Sequence, residues 1–300
     1  MSGNAGSRIT SPWPMIAALV KAEEMEGFGP NRVWQPMTGF QELFLIRYFK
    51  PLRSEAISLP EISSIVSRQA AEINAFLKEK GFSIELENFR PGEIGTASVF
   101  DILEEWIVEG NEKPIKENGQ GIEYPGVRIA GQNAMFYRAK DHPDPIAVLE
   151  TKNGDVVMMT IAPRAPVDDF DLMMMIEKLE ANLVNLGPAY SGVLFPMVNL
   201  KKRVDISWIL GMSTLGSNGQ PYHISQAVME AIAMMNQVGI HMKIAVAFAM
   251  EKCCIFQEPE NDLEINQSFL IWIIRPGLTY PLAYAYITPS DWEEPADLEG

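Results

Sequence analysis

Two adjacent cysteines, Cys253 and Cys254, follow Lys252 and lead into an acidic, proline-containing run, "EKCCIFQEPENDLE". A thiol in an exposed loop beside a lysine can act as a nucleophile, because a nearby cation favours the reactive thiolate. The same pair can also be two small buried hydrophobes, and residue type alone leaves both readings open. The other chemically capable residues are scattered. His142, His223 and His241 each stand alone, with no Cys, Asp or Glu at metal-ligand spacing, so nothing supports a metal site and each reads as a solitary exposed histidine. The carboxylate pairs Glu104-Glu105 and Asp168-Asp169 invite an acid/base role, yet both fall in stretches with helical spacing, where adjacent residues point apart. Asp168 to Asp171 also sit where a helix N-terminus favours negative charge. Capping and solvation therefore account for these pairs, and the runs Met158-Met159, Met173-Met174-Met175 and Met234-Met235 read as adaptable core filler. Neither a phosphate-cradling glycine loop nor a G-x-S-x-G elbow occurs. No catalytic residue, metal ligand or cofactor site is assigned.

Composition narrows the function classes further. The chain has 300 residues, 47% hydrophobic and 21% charged, enough to bury a large core as one domain. A net charge of -15 argues against a nucleic-acid partner. The densest basic run, Lys201-Lys202-Arg203, reads as a solvated strand or loop face. No stretch approaches the roughly 18 apolar residues of a membrane span, and "MSGNAGSRITSPWPM" has no secretory-signal pattern. With two neighbouring cysteines and no disulfide framework, a soluble, cytoplasmic protein with no membrane partner is expected.

Hydropathy spacing supplies the elements. "TSPWPMIAALVKAEEM" has a Thr10 or Ser11 cap and Pro12 in the first turn, which predicts a helix over 12–25. Further helices are expected at 38–49, 61–81, 96–110 and 167–185, with "WILGM" a short one and 82–89 a strand. The helix at 96–110 rests on Val99, Leu103, Trp106 and Ile107 sharing one face. Asn153-Gly154 and Pro276-Gly277, each between apolar runs, mark two hairpins. Residues 223–237 fit helix or strand. Helices first and mostly antiparallel strands later indicate an α+β fold. One domain is expected over 1–300, with tails at 1–8 and 290–300.

The clearest pattern is "GIHMKIAVAFAMEKCC", in which Ile240, Met242, Ile244, Val246, Phe248 and Met250 alternate with small or polar residues. That is how a strand with one face on a core is written. At about 3.3 Å per residue its eleven residues would span roughly 36 Å.

Taken in order, the segments resemble the serpin family. The similarity runs through "ITSPWPMIAALVKA", "GFQELFLIRYF", "NAFLKEKGFSIELENF", "VFDILEEWIVEGNEKPI" and "AVLETKNGDVVMMTIAP". It continues with "LMMMIEKLEANL", "VLFPMVNLKKRVDISWILGM", "HISQAVMEAIAMMNQVG" and "NQSFLIWIIRPGLTYPLAYAYITP". The resemblance implies helices packed on a large central, mostly antiparallel sheet with further smaller sheets. It makes 223–237 a strand of the central sheet and Gly239, Ile240, Met242 and Ile244 the hinge of the reactive loop. A scissile region would then lie at Lys252, Cys253, Cys254 and Gln257.

Several departures from the family pattern set the functional expectation. Gln237 and Val238 stand where inhibitory members carry acidic residues, and Pro14 and Met229 where they carry a buried serine and histidine. The small residues after the hinge glycine are replaced by Ile240, Met242 and Ile244, and each large apolar side chain left in water would cost on the order of 1.5 to 3 kcal/mol. The first family helix is lacking, and so is the chain length between "NEKPI" and "IEYPGVRIAG" that would build the third strand of the main sheet. A non-inhibitory serpin-like binding or interaction module is therefore expected, with 240–250 built into the central sheet. Its protein partner or small-molecule ligand is unassigned. One alternative is a serine or cysteine protease inhibitor with an exposed loop near 250–258. Another is a small-molecule-binding protein or enzyme on the same scaffold.

Overall fold

The computed structural model describes residues 6–24, 33–119, 121–216, 219–242, 261–295 and 298. In chain order the main elements are β1 (Arg8–Thr10), α1 (Pro12–Glu23), α2 (Gly39–Phe44), α3 (Lys50–Ala56), β2 (Ile62–Ser67), α4 (Ala70–Glu79), β3 (Gly95–Phe100) and β4 (Ile102–Glu105). They continue as β5 (Met135–Ala139), β6 (Ile146–Glu150), β7 (Val156–Ile161), α5 (Asp169–Glu180), β8 (Leu183–Asn185), β9 (Val198–Val204), β10 (Met229–Met235), β11 (Gly239–Met242), β12 (Phe269–Ile274) and β13 (Ala283–Ile287). The chain divides into two compact units, one formed by 1–10, 102–201 and 232–300 and the other by 11–101 and 202–231. Among the described residues no helix is long and apolar enough to cross a membrane.

The first unit is built on a seven-stranded antiparallel sheet in the order β1-β13-β12-β7-β6-β5-β8. Both expected hairpins are present. Gly154 (φ 82°) and Gly277 (φ 94°) occupy left-handed turn conformations open to glycine at little cost, and Thr151 N–H donates to Asp155 O at 3.0 Å to close the first turn. Continuous apolar runs such as Leu270 to Ile273 are buried on both faces of the sheet. Helix α5 starts on Asp168, whose carboxylate accepts the Asp171 N–H at 2.8 Å, so the acidic cluster caps as the sequence indicates. Within the spans expected as tails, Ser7 and Trp292 are buried, and Ser7 Oγ accepts the Thr288 N–H at 2.8 Å. Each is held by its own contacts, so residues 7–8 and 290–292 belong to the folded body. A four-stranded sheet has the strand order β9-β10-β11-β4, of which β4, β11, residues 198–201 of β9 and residues 232–235 of β10 belong to this unit.

In the second unit α1 carries its Ser11 cap and buries Trp13, Ile16, Leu19 and Val20 against β2, β3 and α3. Its last turn holds the buried Glu23, which accepts from Trp34 Nε1 at 3.0 Å and pairs with Arg53. The helix expected at 38–49 is split into α2, a π-helical turn at Leu45–Phe49 and α3.

Two expected helices are corrected. Over 61–81 only α4 is helical; Ile62–Ser67 forms β2, where β-branched Ile62, Ile65 and Val66 suit a pleated surface better than a helix. Over 96–110 the chain is β3 and β4, and β3 pairs with β2 from Ser67↔Gly95 to Ile62↔Phe100. The strand expected at 82–89 forms no ladder; Asn74 instead exchanges side-chain hydrogen bonds with Leu86 N–H and C=O at 2.8 and 2.9 Å. Of the expected strand 223–237 of the large central sheet, residues 229–235 form β10, and β10 belongs to the four-stranded sheet rather than the seven-stranded one.

Candidate functional site

The site is the short strand β11 and the slot it fills. Strand β10 ends at Met235, and the chain reverses through Gln237 and Val238 in a tight turn. Asn236 N–H donates to Gly239 O at 3.0 Å, and the Asn236 side-chain oxygen accepts Val238 N–H at 2.9 Å. That is an Asx-type turn, for which asparagine is suited. It sets the register Met235↔Ile240 and Met234↔His241.

On its other side β11 pairs antiparallel with β4, from Gly239↔Glu105 through Ile240↔Glu104 to Met242↔Ile102. Gly239 is required by this fit: a Cβ there would collide with the Glu104 carbonyl oxygen and lie 2.9 Å from Glu105 Cα. Trp106, directly after β4, holds the turn from both sides. Its backbone N–H donates to Val238 O at 2.9 Å, its indole Nε1 to Asn236 O at 3.0 Å, and its ring meets the Phe195 ring edge at 5.9 Å.

Alternation along the strands decides what each face sees. Ile240 and Met242 point with Ala233 and Met235 of β10 into an apolar layer closed by Val198, Ile271 and Ile287. Opposite Ile240 the same face of β4 carries Glu104, between Ile102 and Trp106, and all three are buried. No hydrogen bond of good geometry reaches either Glu104 carboxyl oxygen, although the polar side chains of Thr151, Asn153 and Asp155 lie beside it. Burial pushes its pKa up to about 8, with Thr151 and Asn153 partly opposing and Asp155 adding to the rise. Asp155 itself is held by Arg275, whose Nη2 donates to Asp155 Oδ2 at 2.7 Å. On the reverse face His241 is buried with its Nδ1 on the Leu298 carbonyl, and Glu105 pairs with Lys152.

These placements correct two expectations. Glu104-Glu105 is not a solvated helical pair: it lies on a strand, so one carboxyl enters the core while the other meets a lysine near the surface. His241 and His142 are not exposed; His142 is buried with Nε2 2.8 Å from Thr160 Oγ1, and only His223 of the three is exposed. The strand that borders β11 in the four-stranded sheet is β4, which precedes "NEKPI" in the chain.

Of the expected hinge residues, Gly239, Ile240 and Met242 come together in β11. Ile244, Lys252, Cys253, Cys254 and Gln257 lie outside the described residues, as do 243–250 of the expected strand. Residue-type reasoning missed Glu104, Trp106 and Asn236. The i, i+2 spacing of Ile102, Glu104 and Trp106 carried the signal, hidden because a glutamate was counted as solvent-facing. Among the described residues no cluster of three or more His, Cys, Asp or Glu could hold a metal ion.

No family model and no curated protein sequence matches the chain. Solved structures do. The structure of a serpin from Schistosoma mansoni matches with TM-score 0.60 at 12% identity, covering 94% of this chain and 95% of that one. Serpin48, described as a highly specific serpin in the insect Tenebrio molitor, matches with TM-score 0.56 at 11% identity, over 95% and 92%. Thyroxine-binding globulin in complex with thyroxine matches with TM-score 0.53 at 11% identity, over 96% and 94%. At such identities the likeness is one of architecture, and it covers nearly all of each chain: this protein has a serpin-like α+β fold.

Proposed function

We propose that this is a non-inhibitory serpin-like protein, a binding or interaction module whose reactive-loop equivalent starts as a built-in strand of the sheet. One observation carries the reading. β11 already lies between β10 and β4, with Ile240 and Met242 only 1% and 2% exposed. A bait loop that must enter this slot after cleavage would find its first positions occupied. Ejecting those two side chains into water would cost about 1.5 to 3 kcal/mol each. Thyroxine-binding globulin, caught with thyroxine on this fold, supports a role in binding a small molecule; a protein partner fits as well. With a net charge of -15, a nucleic acid does not.

The test is incubation with a panel of serine and cysteine proteases followed by a denaturing gel. Cleavage without a covalent, denaturant-resistant complex is expected. Such a complex, above all one joined at Lys252, Cys253, Cys254 or Gln257, would establish the inhibitor reading instead.

A further inference from the structure

The buried carboxyl of Glu104 has no structural task that a glutamine or leucine could not perform better. It lies on the face shared by Ile240 and Met242, directly across the ladder from Ile240; no hydrogen bond of good geometry reaches either of its oxygens, and the polar groups beside it are Thr151, Asn153 and Asp155. Buried polar groups are normally partnered, and a buried unpaired charge is far more costly than a buried neutral acid.

The groups around it leave no cation to offset a negative charge. From the turn between β6 and β7 come Thr151, Asn153 and Asp155, and the nearest cation, Arg275 after β12, is already engaged by Asp155 in a bidentate pair at 2.7 to 3.1 Å. On β4 itself Glu105 takes Lys152. On the same face of the sheet β11 and β10 carry Ile240, Met242, Ala233 and Met235, and Ile271 of β12 and Ile287 of β13 line the apolar space beside those four; none titrates. The one ionisable group of described β11, His241, lies on the reverse face with its Nδ1 on Leu298.

We propose that Glu104 is a pH-operated latch on the hinge strand: as a neutral acid it permits β11 to stay between β10 and β4, and as a carboxylate it drives β11 out of the slot. The step is release of one proton to solvent when the strand opens and the carboxyl reaches water. β11 is the element that yields, because its described residues meet β10 at two register pairs, Met234↔His241 and Met235↔Ile240, and its departure uncovers the face that carries Glu104. The other wall, the β6–β7 turn, is tied down by Thr151 N–H to Asp155 O and by the Asp155-Arg275 pair. The raised pKa of the carboxyl, attributed first to burial, points the same way. The inference extends the proposed function only as far as Met242, within the described strand.

The test is amide hydrogen exchange of the full chain between pH 5 and 9, each rate divided by the intrinsic rate at that pH. Protection at Gly239 to Met242 should fall by up to tenfold per pH unit up to about pH 8 and then level off, since one proton is released on opening. Glu104→Gln should flatten that dependence, while the β7 and β12 amides stay slower throughout. Strong protection at β11 that is equally pH-dependent in Glu104→Gln, or that does not change with pH in the wild type, overturns the latch and leaves the filled slot standing. Absence of protection at β11 at every pH overturns both. If Glu104→Gln does not fold, carboxyl-carbon NMR of the wild type decides: Glu104 must titrate with the same midpoint as the loss of β11 protection, and a separate midpoint refutes the latch.

Discussion

At the residue scale, two positions bear on β11: Gly239 by its missing side chain and Glu104 by its buried carboxyl. Gly239 lies so close to β4 that any Cβ meets backbone, which cannot move aside as a flexible side chain could. Gly239→Ala should therefore lower stability by about 1 to 3 kcal/mol, the range for forced overpacking, read as a drop in melting temperature. Glu104 works through pH. Its pKa in the folded protein, about 8, lies above the 4.5 of an ordinary glutamate, so the fold binds this proton more tightly than the unfolded chain does. The associated stability is fully present below about pH 4.5 and is lost as pH rises to about 8, amounting to several kcal/mol at most at about 1.4 kcal/mol per pKa unit. Glu180, half-buried and accepting from Trp272 Nε1 at 2.8 Å, is also raised by desolvation, to about 7, and adds a smaller loss in the same direction. The melting temperature should thus decline from pH 5 to pH 8. Glu104→Gln should remove the larger part of that slope, and an undiminished slope would refute the assignment to Glu104. Asp262 behaves oppositely: the Arg128 guanidinium holds its carboxyl well below the usual range, so its contribution fades only in strong acid.

At the element scale, the turn from β10 to β11 depends on Trp106 and Asn236. Trp106→Phe keeps an aromatic ring but removes the indole N–H that donates to Asn236 O, so a loss of about 1 kcal/mol is expected, against about 3 to 5 for Trp106→Ala. Chemical denaturation of the two variants would separate the hydrogen bond from the packing. The same segment shows why part of the fold was legible in sequence and part was not. The hairpins at Gly154 and Gly277 and helices α1 and α5 could be read because turn glycines, a Ser11 cap and an Asp168 cap are local signals. β4 could not, because Val99, Leu103, Trp106 and Ile107 imitate a helical stripe over a span where Ile102, Glu104 and Trp106 form the true strand face. Ile107 is in fact 45% exposed. Short apolar runs are inherently ambiguous between the two periods, and here the decisive residue was a buried acid. β2 was lost for a related reason: an isolated six-residue segment joined to a good helix reads as its first turns. The strand at Gly239–Met242 was legible, since apolar residues at Ile240 and Met242 do not suit an exposed loop.

At the scale of the whole molecule, a serpin-like fold is present with β11 paired between β10 and β4, and the functional question reduces to whether a cut in the chain would change that sheet. A metastable trap gains stability when its cut loop enters the sheet. A molecule whose slot is filled by its own uncut chain has nothing further to gain. The direct measurement is the melting temperature of the intact protein and of the same protein nicked between residues 251 and 260, through an introduced protease site if the natural sequence resists cutting. The expected result is the same melting temperature within a few degrees. A large rise on cleavage would mean that the sheet was still waiting for its strand, and would contradict the non-inhibitory reading.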